Sequence, residues 1–356
     1  MAVGAGGRAV RRASVVDVAR RAQVSVGTVS NVLNRPDQVA SATRDRVQAA
    51  IEELQFVRNA SARQLRAGTL ASIGVVLLDI ANPFFTAVAR GIEDRLALDE
   101  YTLMLSSSDA KPEREARYLR LFEEHGVQGV MVTPSAGSLE TLLAVRERGI
   151  DTVLLDATSP LADLSSVAVD DVRGGAMAIE HLIGLGHTRI AFLNGPSSIR
   201  QCADRREGVV AALLAAGLDP ADALVEVTIS ELNAAGGAAG TEQLLARSDC
   251  RAGDRRITAT FCVNDFTALG ALRTLRRAGV SIPQEMAVVG YDDVDFAPAL
   301  LVPLTSVRQP THKLGFTAAD LLLRHRTEGS AYVHQQIQFQ PELVVRTSSD
   351  PGVDAG

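Results

Sequence analysis

The order of apolar and polar residues over positions 14–54 predicts three short helices. Serine, a favoured capping residue, precedes or opens each of them, at Ser14, Ser25 and Ser41. Behind each serine, apolar residues recur at helical spacing and form one apolar face. The three faces comprise Val18, Ala19 and Ala22; Val29, Val32 and Leu33; and Val47, Ala50, Ile51 and Leu54. Because only residues 23–25 separate the first two helices, the pattern indicates a helix-turn-helix, whose second helix enters the major groove of DNA.

Beyond position 70 the pattern changes to short apolar runs that alternate with amphipathic stretches. The runs predict strands at 73–78, 101–105, 127–132 and 152–155, and again at 189–193, 224–227, 259–263 and 287–289. Helices are predicted near 84–98, 112–125 and 138–148. Two rounds of strand and helix predict an α/β core of two doubly wound parallel-sheet subdomains. Ligands of such sheets bind at the carboxyl ends of the strands, so we expect a binding cleft there.

Composition narrows the class of protein. The chain has 356 residues, of which 46% are hydrophobic and 22% charged, and no apolar run approaches the length of a membrane span. Residues 1–13 carry arginines but no apolar stretch of a secretory signal, so a cytoplasmic protein is expected. The three cysteines lack paired spacing and the six histidines are scattered, so neither disulfides, a metal site nor a cofactor is expected.

Charge is distributed unevenly along the chain. Residues 1–70 contain eleven Arg, no Lys and five acidic residues, which gives +6, whereas the whole chain has a net charge of −6. The remainder is therefore strongly acidic, at −12. A basic segment joined to an acidic body is typical of a phosphate-binding module attached to a soluble sensor.

Two motifs in the basic segment carry a family resemblance. The sequences DVARRA at 17–22 and VSVGTVSNVLN at 24–34 resemble the signature of the LacI/GalR regulators. The resemblance continues through VASATR at 39–44 and NASARQL at 59–65, and extends to about residue 346. It implies a DNA-binding transcriptional regulator, most often a repressor, with a helix-turn-helix, a hinge helix and a core like the periplasmic sugar-binding proteins.

The resemblance and the pattern together predict five segments. They are a disordered basic tail at 1–13, the helix-turn-helix domain at 14–58, the hinge helix and linker at 59–69, the effector-binding and dimerisation core at 70–346, and a polar tail at 347–356. Within the core, we expect an N-subdomain at about 70–169 plus 306–333 and a C-subdomain at about 170–303 plus 334–346. No tetramerising heptad is visible, so the expected partners are a second copy of the chain and a palindromic operator duplex.

The resemblance assigns DNA contacts residue by residue. Asn31 can pair with adenine, Val26 can pack on a thymine methyl, and Gly27 allows close approach to the bases. Phosphate contacts are expected from Ser25, Thr28, Ser30 and Arg63, and a minor-groove wedge from the hinge residue Leu65. Two positions depart from the family: Gln23 stands where Gly or Asn is usual, and Arg58 stands where Pro is usual. A left-handed Gln23 would cost about 1 kcal/mol.

Candidate effector contacts come from strand ends and from the resemblance. Asp79 and Phe84 follow the first predicted core strand, and Asn264 and Asp292 also lie at predicted strand ends. The resemblance places four polar side chains at effector-contacting positions: Arg205, Asn264, Asp292 and Gln309. Because Arg and carboxylates pair well with vicinal hydroxyls, a sugar or sugar derivative is the expected effector. Phe84 could equally stack on the ligand or pack in the core, whereas Phe85 is expected to pack.

Three alternatives differ in function. A purine- or other metabolite-responsive regulator would share every feature above. A plain solute-binding protein would share the core, but it would need a signal peptide and no helix-turn-helix. An enzyme is disfavoured, because no GxSxG, P-loop or Cys/His pairing stands in a suitable context.

Overall fold

A computed structural model describes residues 13–56, 71–247 and 256–352. The chain forms two compact units, residues 1–70 and 71–356. No helix of the described residues is long and apolar enough to cross a bilayer.

The first unit contains the three predicted helices. They are α1 (Val15–Ala22), α2 (Val26–Asn34) and α3 (Ser41–Glu53), with a short 3-10 helix at Pro36–Gln38. Ser14 and Asp17 form a capping box at α1, and the Ser25 side chain accepts the N–H of Thr28 at the start of α2. The predicted apolar faces meet in one small core, built around the fully buried Val18, Val29 and Val47.

The second unit begins with a sheet of six parallel strands in the order β11-β5-β4-β3-β1-β2. Its strands are β1 (Ser72–Leu77), β2 (Thr102–Ser107), β3 (Gly129–Val132), β4 (Asp151–Leu155), β5 (Ser166–Val169) and β11 (Gln336–Phe339). Its helices are α4 (Pro83–Ala97), α5 (Pro112–Glu124), α6 (Leu139–Glu147) and α12 (Thr311–Glu328). Helices α4 and α12 pack on one face, and α5 and α6 pack on the other.

A second six-stranded sheet has the order β12-β10-β9-β8-β6-β7. Its strands are β6 (Ile190–Asn194), β7 (Leu224–Thr228), β8 (Ala259–Cys262), β9 (Ala287–Asp292), β10 (Thr305–Arg308) and β12 (Glu342–Val344). All pairs are parallel except β10 with β12. Its helices are α7 (Asp171–Gly184), α8 (Arg200–Ala215), α9 (Pro220–Ala223), α10 (Ala234–Ala246) and α11 (Asp265–Arg277). Helices α7 and α8 cover one face, and α10 and α11 cover the other.

The chain crosses three times between the two sheets, at β5–α7, β10–α12 and β11–β12. Two expected boundaries were wrong. The segment 305–308 pairs with β9 and so belongs to the C-subdomain, whereas 336–339 pairs with β5 and so belongs to the N-subdomain.

The expected polar tail also needs correction, because its first residues are part of the core. Ser348 and Ser349 are buried. The Ser348 side chain donates to the carbonyl of Val288 and accepts the N–H of Thr305, so it links β9 to β10. Residues 346–350 therefore complete the C-subdomain, and hydrogen bonding rather than hydrophobicity places them there.

Glycines set the distance between helices in each subdomain. A Cβ atom on Gly91 of α4 would clash with the His312 carbonyl of α12, and one on Gly208 of α8 would clash with the Val172 carbonyl of α7. In the pair α10 and α11, a Cβ on Gly270 would meet the Ala234 carbonyl. These clashes involve backbone atoms, which cannot move aside as a side chain can.

Gly270→Ala is therefore expected to lower the free energy of unfolding of the core by about 1–3 kcal/mol or more, since the added methyl forces α10 and α11 apart. Urea denaturation followed by circular dichroism measures the change. Gly184→Ala is the matched control, because nothing lies within 4 Å of the added Cβ at the end of α7. Equal losses from both variants would contradict this account of the helix pairs.

Candidate functional site

Helix α2 has one exposed and one buried face. Val29 and Val32 are buried against the other two helices, while Val26 is 42% exposed. Gly27 and Asn31, the other two predicted base contacts, are also exposed. The face that the sequence assigned to the bases is therefore available to a duplex.

The predicted phosphate contacts differ in how free their side chains are to meet a phosphate. The Ser25 hydroxyl accepts the N–H of Thr28 at 3.0 Å and lies 2.9 Å from its hydroxyl, so both side chains already take part in the helix cap. Ser30 is half-buried. Arg63, the hinge residue Leu65 and the unusual Arg58 lie outside the described residues.

The turn between α1 and α2 has the strain anticipated from its sequence. Gln23 has φ 53° and ψ 48°, which is the left-handed region that favours glycine. Its N–H donates to the carbonyls of Ala19 and Arg20 and so ends α1. The turn adopts the left-handed geometry without the residue that fits it best.

Gln23→Gly is expected to stabilise the first unit by about 1 kcal/mol, because glycine adopts a left-handed conformation without steric cost. Native-state hydrogen exchange of the α1 and α2 amides in the full chain measures this as roughly fivefold slower exchange. Gln38→Gly makes the same substitution where φ is not positive and should give no gain. Exchange that is unchanged or faster in Gln23→Gly would contradict the interpretation.

In the second unit, a cavity of about 40 Å³ lies where the carboxyl ends of the two sheets face each other. Four predicted effector contacts contribute to its wall: Phe84, Arg205, Asn264 and Asp292. Gln309 and Asp79 do not line it. The Gln309 amide instead donates a hydrogen bond to Asp292, and the Asp79 carboxylate accepts the N–H of Ala81 in a local turn.

Arg205 is the buried cation of the cleft. It projects from α8 and is 6% exposed. Its Nε donates to Asp171 at 2.8 Å, one terminal nitrogen donates to the Val263 carbonyl at 2.5 Å, and the other lies 3.9 Å from Asp292. The guanidinium also lies over the Tyr291 ring, 3.6 Å from its centroid. These contacts fix the guanidinium in position.

Asp292 ends β9 in a conformation with φ 105°, which directs its carboxylate into the cleft. Gln309 Nε2 donates to its Oδ1 at 2.8 Å. Burial raises the pKa of Asp292 to about 6, although the cation of Arg205 and the amides of Gln309 and Asn82 oppose that rise. The carboxylate therefore changes charge close to neutral pH.

The remaining predicted residues have structural as well as lining roles. Asn264 caps α11 by accepting the N–H of Thr267 at 2.7 Å, and its amide donates to the Leu232 carbonyl. Phe84 and Phe85 both line the cavity, with their rings edge to face and 4.9 Å between centroids. Phe85 packs in the core, as expected, and also lines the cavity.

The sequence interpretation missed two residues, Asp156 and Gln201. Asp156 follows β4, and Gln201 lies in the first turn of α8. Gln201 Nε2 donates to both the carbonyl and the Oδ2 of Asp156 at 2.8 Å, which links the N-subdomain to the C-subdomain. Asp156 could have been predicted, because it is an acidic residue directly after an apolar strand. The residues around Gln201 in the sequence give no such indication.

A second cavity of about 180 Å³ lies on the other side of this link. Its wall includes Asp156 and Gln201 together with the crossover residues Asp170 and Asp171. Among the residues that the structure describes, no cluster of His, Cys, Asp and Glu could hold a metal ion. The two cavities share the wall formed by Asp156 and Gln201, and the larger cavity also adjoins the β5–α7 crossover.

Comparison with known proteins gives a family match in each of the two units. Residues 14–59 match the family model of bacterial regulatory proteins of the lacI family, and residues 179–349 match a periplasmic binding protein-like domain. The repressor PurR of Photobacterium profundum is 34% identical over 339 residues, which cover 94% of this chain and 98% of the relative. The chain belongs to the lacI family.

Solved structures of lacI-family proteins give the same result. A lacI-family regulator from Enterococcus faecium with bound ribose is 31% identical, with a TM-score of 0.71, and the match covers 79% of this chain and 99% of that one. The Lac repressor dimer bound to operator is 26% identical, with a TM-score of 0.75, and the match covers 95% and 99%. The expected fold class, a helix-turn-helix followed by a periplasmic-binding-protein-like core, is confirmed.

Proposed function

We propose that this chain is a bacterial transcriptional repressor, acting in the cytoplasm at the nucleoid, whose operator affinity is controlled by a small molecule in the cleft. The observation that carries the proposal is the pairing of an exposed recognition face on α2 with a buried polar cluster around Arg205. A DNA reader needs the first and a ligand sensor needs the second.

In this proposal Asn31 hydrogen-bonds a base edge, Val26 packs on an apolar base edge, and Gly27 allows the helix to approach. Ser25, Thr28, Ser30 and Arg63 contact phosphates, and Leu65 enters the minor groove from the hinge. A dimer then recognises two half-sites of a palindrome, as the two-fold symmetry of such assemblies requires.

For the effector we propose a sugar or sugar derivative. Arg205, Asn264 and Asp292 combine a guanidinium, an amide and a carboxylate in a buried wall, which suits hydroxyl groups. Phe84 and Phe85 add an apolar surface for a ring face. The Enterococcus faecium regulator that matches this core holds ribose, which supports the same ligand class.

Control of DNA binding follows if the cleft has open and closed arrangements. Asp156 and Gln201 lie on opposite sides of it, so a ligand that changes their separation changes how the two subdomains are arranged. Operator affinity then shifts by the difference in ligand affinity between the two arrangements.

Selection of bound fragments from a genomic library, over a salt series and with a panel of sugars, tests the proposal. We expect enrichment of one palindrome and an affinity that falls steeply with salt, at a slope of about −0.9 per phosphate contact. At least one sugar should change the affinity. Binding without sequence preference under all conditions would refute it.

A further inference from the structure

The walls of the two cavities contain more buried carboxyl groups than buried cations. Asp156, Asp171 and Asp292 are each at most 6% exposed, and Arg205 is the buried cation facing them among the described residues. Arg205 pairs closely with Asp171 and lies farther from Asp292. Asp156 has no cation within ion-pair distance among the described residues.

One carboxyl oxygen of Asp156 also lacks a hydrogen-bond partner. Gln201 donates to its Oδ2, but its Oδ1 has no hydrogen-bond partner, although the residue is only 4% exposed. An unsatisfied buried acceptor is unfavourable, and an unsatisfied carboxylate more so. Because Asp156 lies in the wall shared by both cavities, a molecule in either of them can reach this residue.

The larger cavity extends the acidic character. Besides Asp156, its wall includes Asp170, Asp204 and Glu207, with Arg200 as a partner of Asp204 at 3.2 Å. Its volume of about 180 Å³ exceeds the cavity of about 150 Å³ that can hold benzene, so a ring of benzene size fits. Such a wall repels phosphate and carboxylate groups and attracts a cation that donates hydrogen bonds.

We infer that the effector carries a protonated amine, as an amino sugar does, and that this ammonium donates a hydrogen bond to Oδ1 of Asp156. The inference rests on the proposed function of the cleft and specifies the class of its ligand. The hydroxyls of the same ring meet other polar side chains that line the larger cavity, while the ammonium supplies a cation to Asp156.

Titration of Asp156 gives the inference a pH signature. Burial and the neighbouring Asp171 and Asp292 raise its pKa well above the usual range, while Arg205 and Gln201 oppose the rise. An ammonium stays protonated below pH 7, whereas Asp156 must lose its proton to bind it. Affinity for an amine should therefore increase with pH as Asp156 ionises, and it should increase by more than affinity for a neutral sugar, which responds only to the ionisation of Asp292.

Isothermal titration of the full chain with matched sugars tests the inference. The probes are glucose, galactose and mannose, their 2-amino-2-deoxy analogues, and glucuronate and galacturonate. In at least one pair the amine should bind tenfold or more tightly than the neutral sugar, and the ratio should grow as the pH is raised. Asp156→Asn should reduce that ratio to about one, whereas the exposed Asp163→Asn should keep it.

Each other outcome overturns the inference. The inference is overturned if neutral sugars or uronates bind as tightly as the amines. It is also overturned if the preference for amines survives in Asp156→Asn with an unchanged melting temperature. Binding of neutral sugars alone would leave the proposed function standing. If no amine binds, the inference fails, and selection of operator fragments still decides the proposed function separately.

Discussion

Arg205→Ala is expected to lower the free energy of unfolding of the core by about 3–5 kcal/mol and to abolish the response to effector. Removing the guanidinium leaves Asp171 and Asp292 buried without their cation, and it takes a donor from the Val263 carbonyl. Removing one partner of a buried ion pair lowers stability by more than the pair contributes, because the remaining charge stays desolvated. Urea denaturation of the full chain, monitored by circular dichroism, measures the loss.

The neighbouring Arg206 provides the control. It forms an ion pair with Glu226 at 2.8 Å, but its side chain is 49% exposed. Pairs at the surface contribute about 0–1 kcal/mol, so Arg206→Ala should change little. If both alanine variants lost the same stability, the cluster around Arg205 would not be the structural centre of the cleft.

Asn31→Ala is expected to weaken operator binding by about 1–3 kcal/mol, roughly fivefold to 150-fold, and to leave binding to a scrambled duplex unchanged. The side chain is exposed on α2 and carries no charge, so neither stability nor phosphate attraction should change. Fluorescence anisotropy with the selected palindrome and a scrambled duplex of equal length measures both affinities.

Gln48→Ala is the matched control for this substitution. Gln48 is also an exposed amide of the first unit, and it hydrogen-bonds to Glu52 along α3. It should bind both duplexes as the unchanged chain does. An equal loss on the two duplexes in Asn31→Ala would show that Asn31 positions the helix rather than reading a base.

Much of the fold could be predicted because local and tertiary preferences agree. Capping serines at α1 and α2, and helical spacing of apolar residues in all three helices, specify α1 to α3 without reference to the rest of the chain; α3 begins at Ser41 with Ala40 as its N-cap. Six of the eight predicted strands, all except the edge strands β2 and β7, are buried apolar runs in parallel sheets, where both faces are covered. In contrast, β11 has alternating exposed positions, and β12 is only three residues long. The short strands β10, β11 and β12 carry little hydrophobic signal in the sequence, so the crossovers beside them were misplaced.

The site was predictable where a strand end delivers a side chain into the cleft, as with Asn264 and Asp292. The strand-end rule also predicted a cleft contact at Asp79, but its carboxylate accepts a backbone N–H in a local turn. Gln201 could not be found from the sequence, because its role depends on the distance between two subdomains and not on its neighbours in the chain.

Operator affinity measured with and without a saturating effector tests the central claim most directly. The full chain and the selected palindrome should show at least a fivefold change in affinity, since coupling between two sites typically amounts to about 1–3 kcal/mol. The change should disappear in Arg205→Lys, which keeps the charge but loses the planar set of donors. An effector that binds the cleft and leaves operator affinity unchanged would contradict the account.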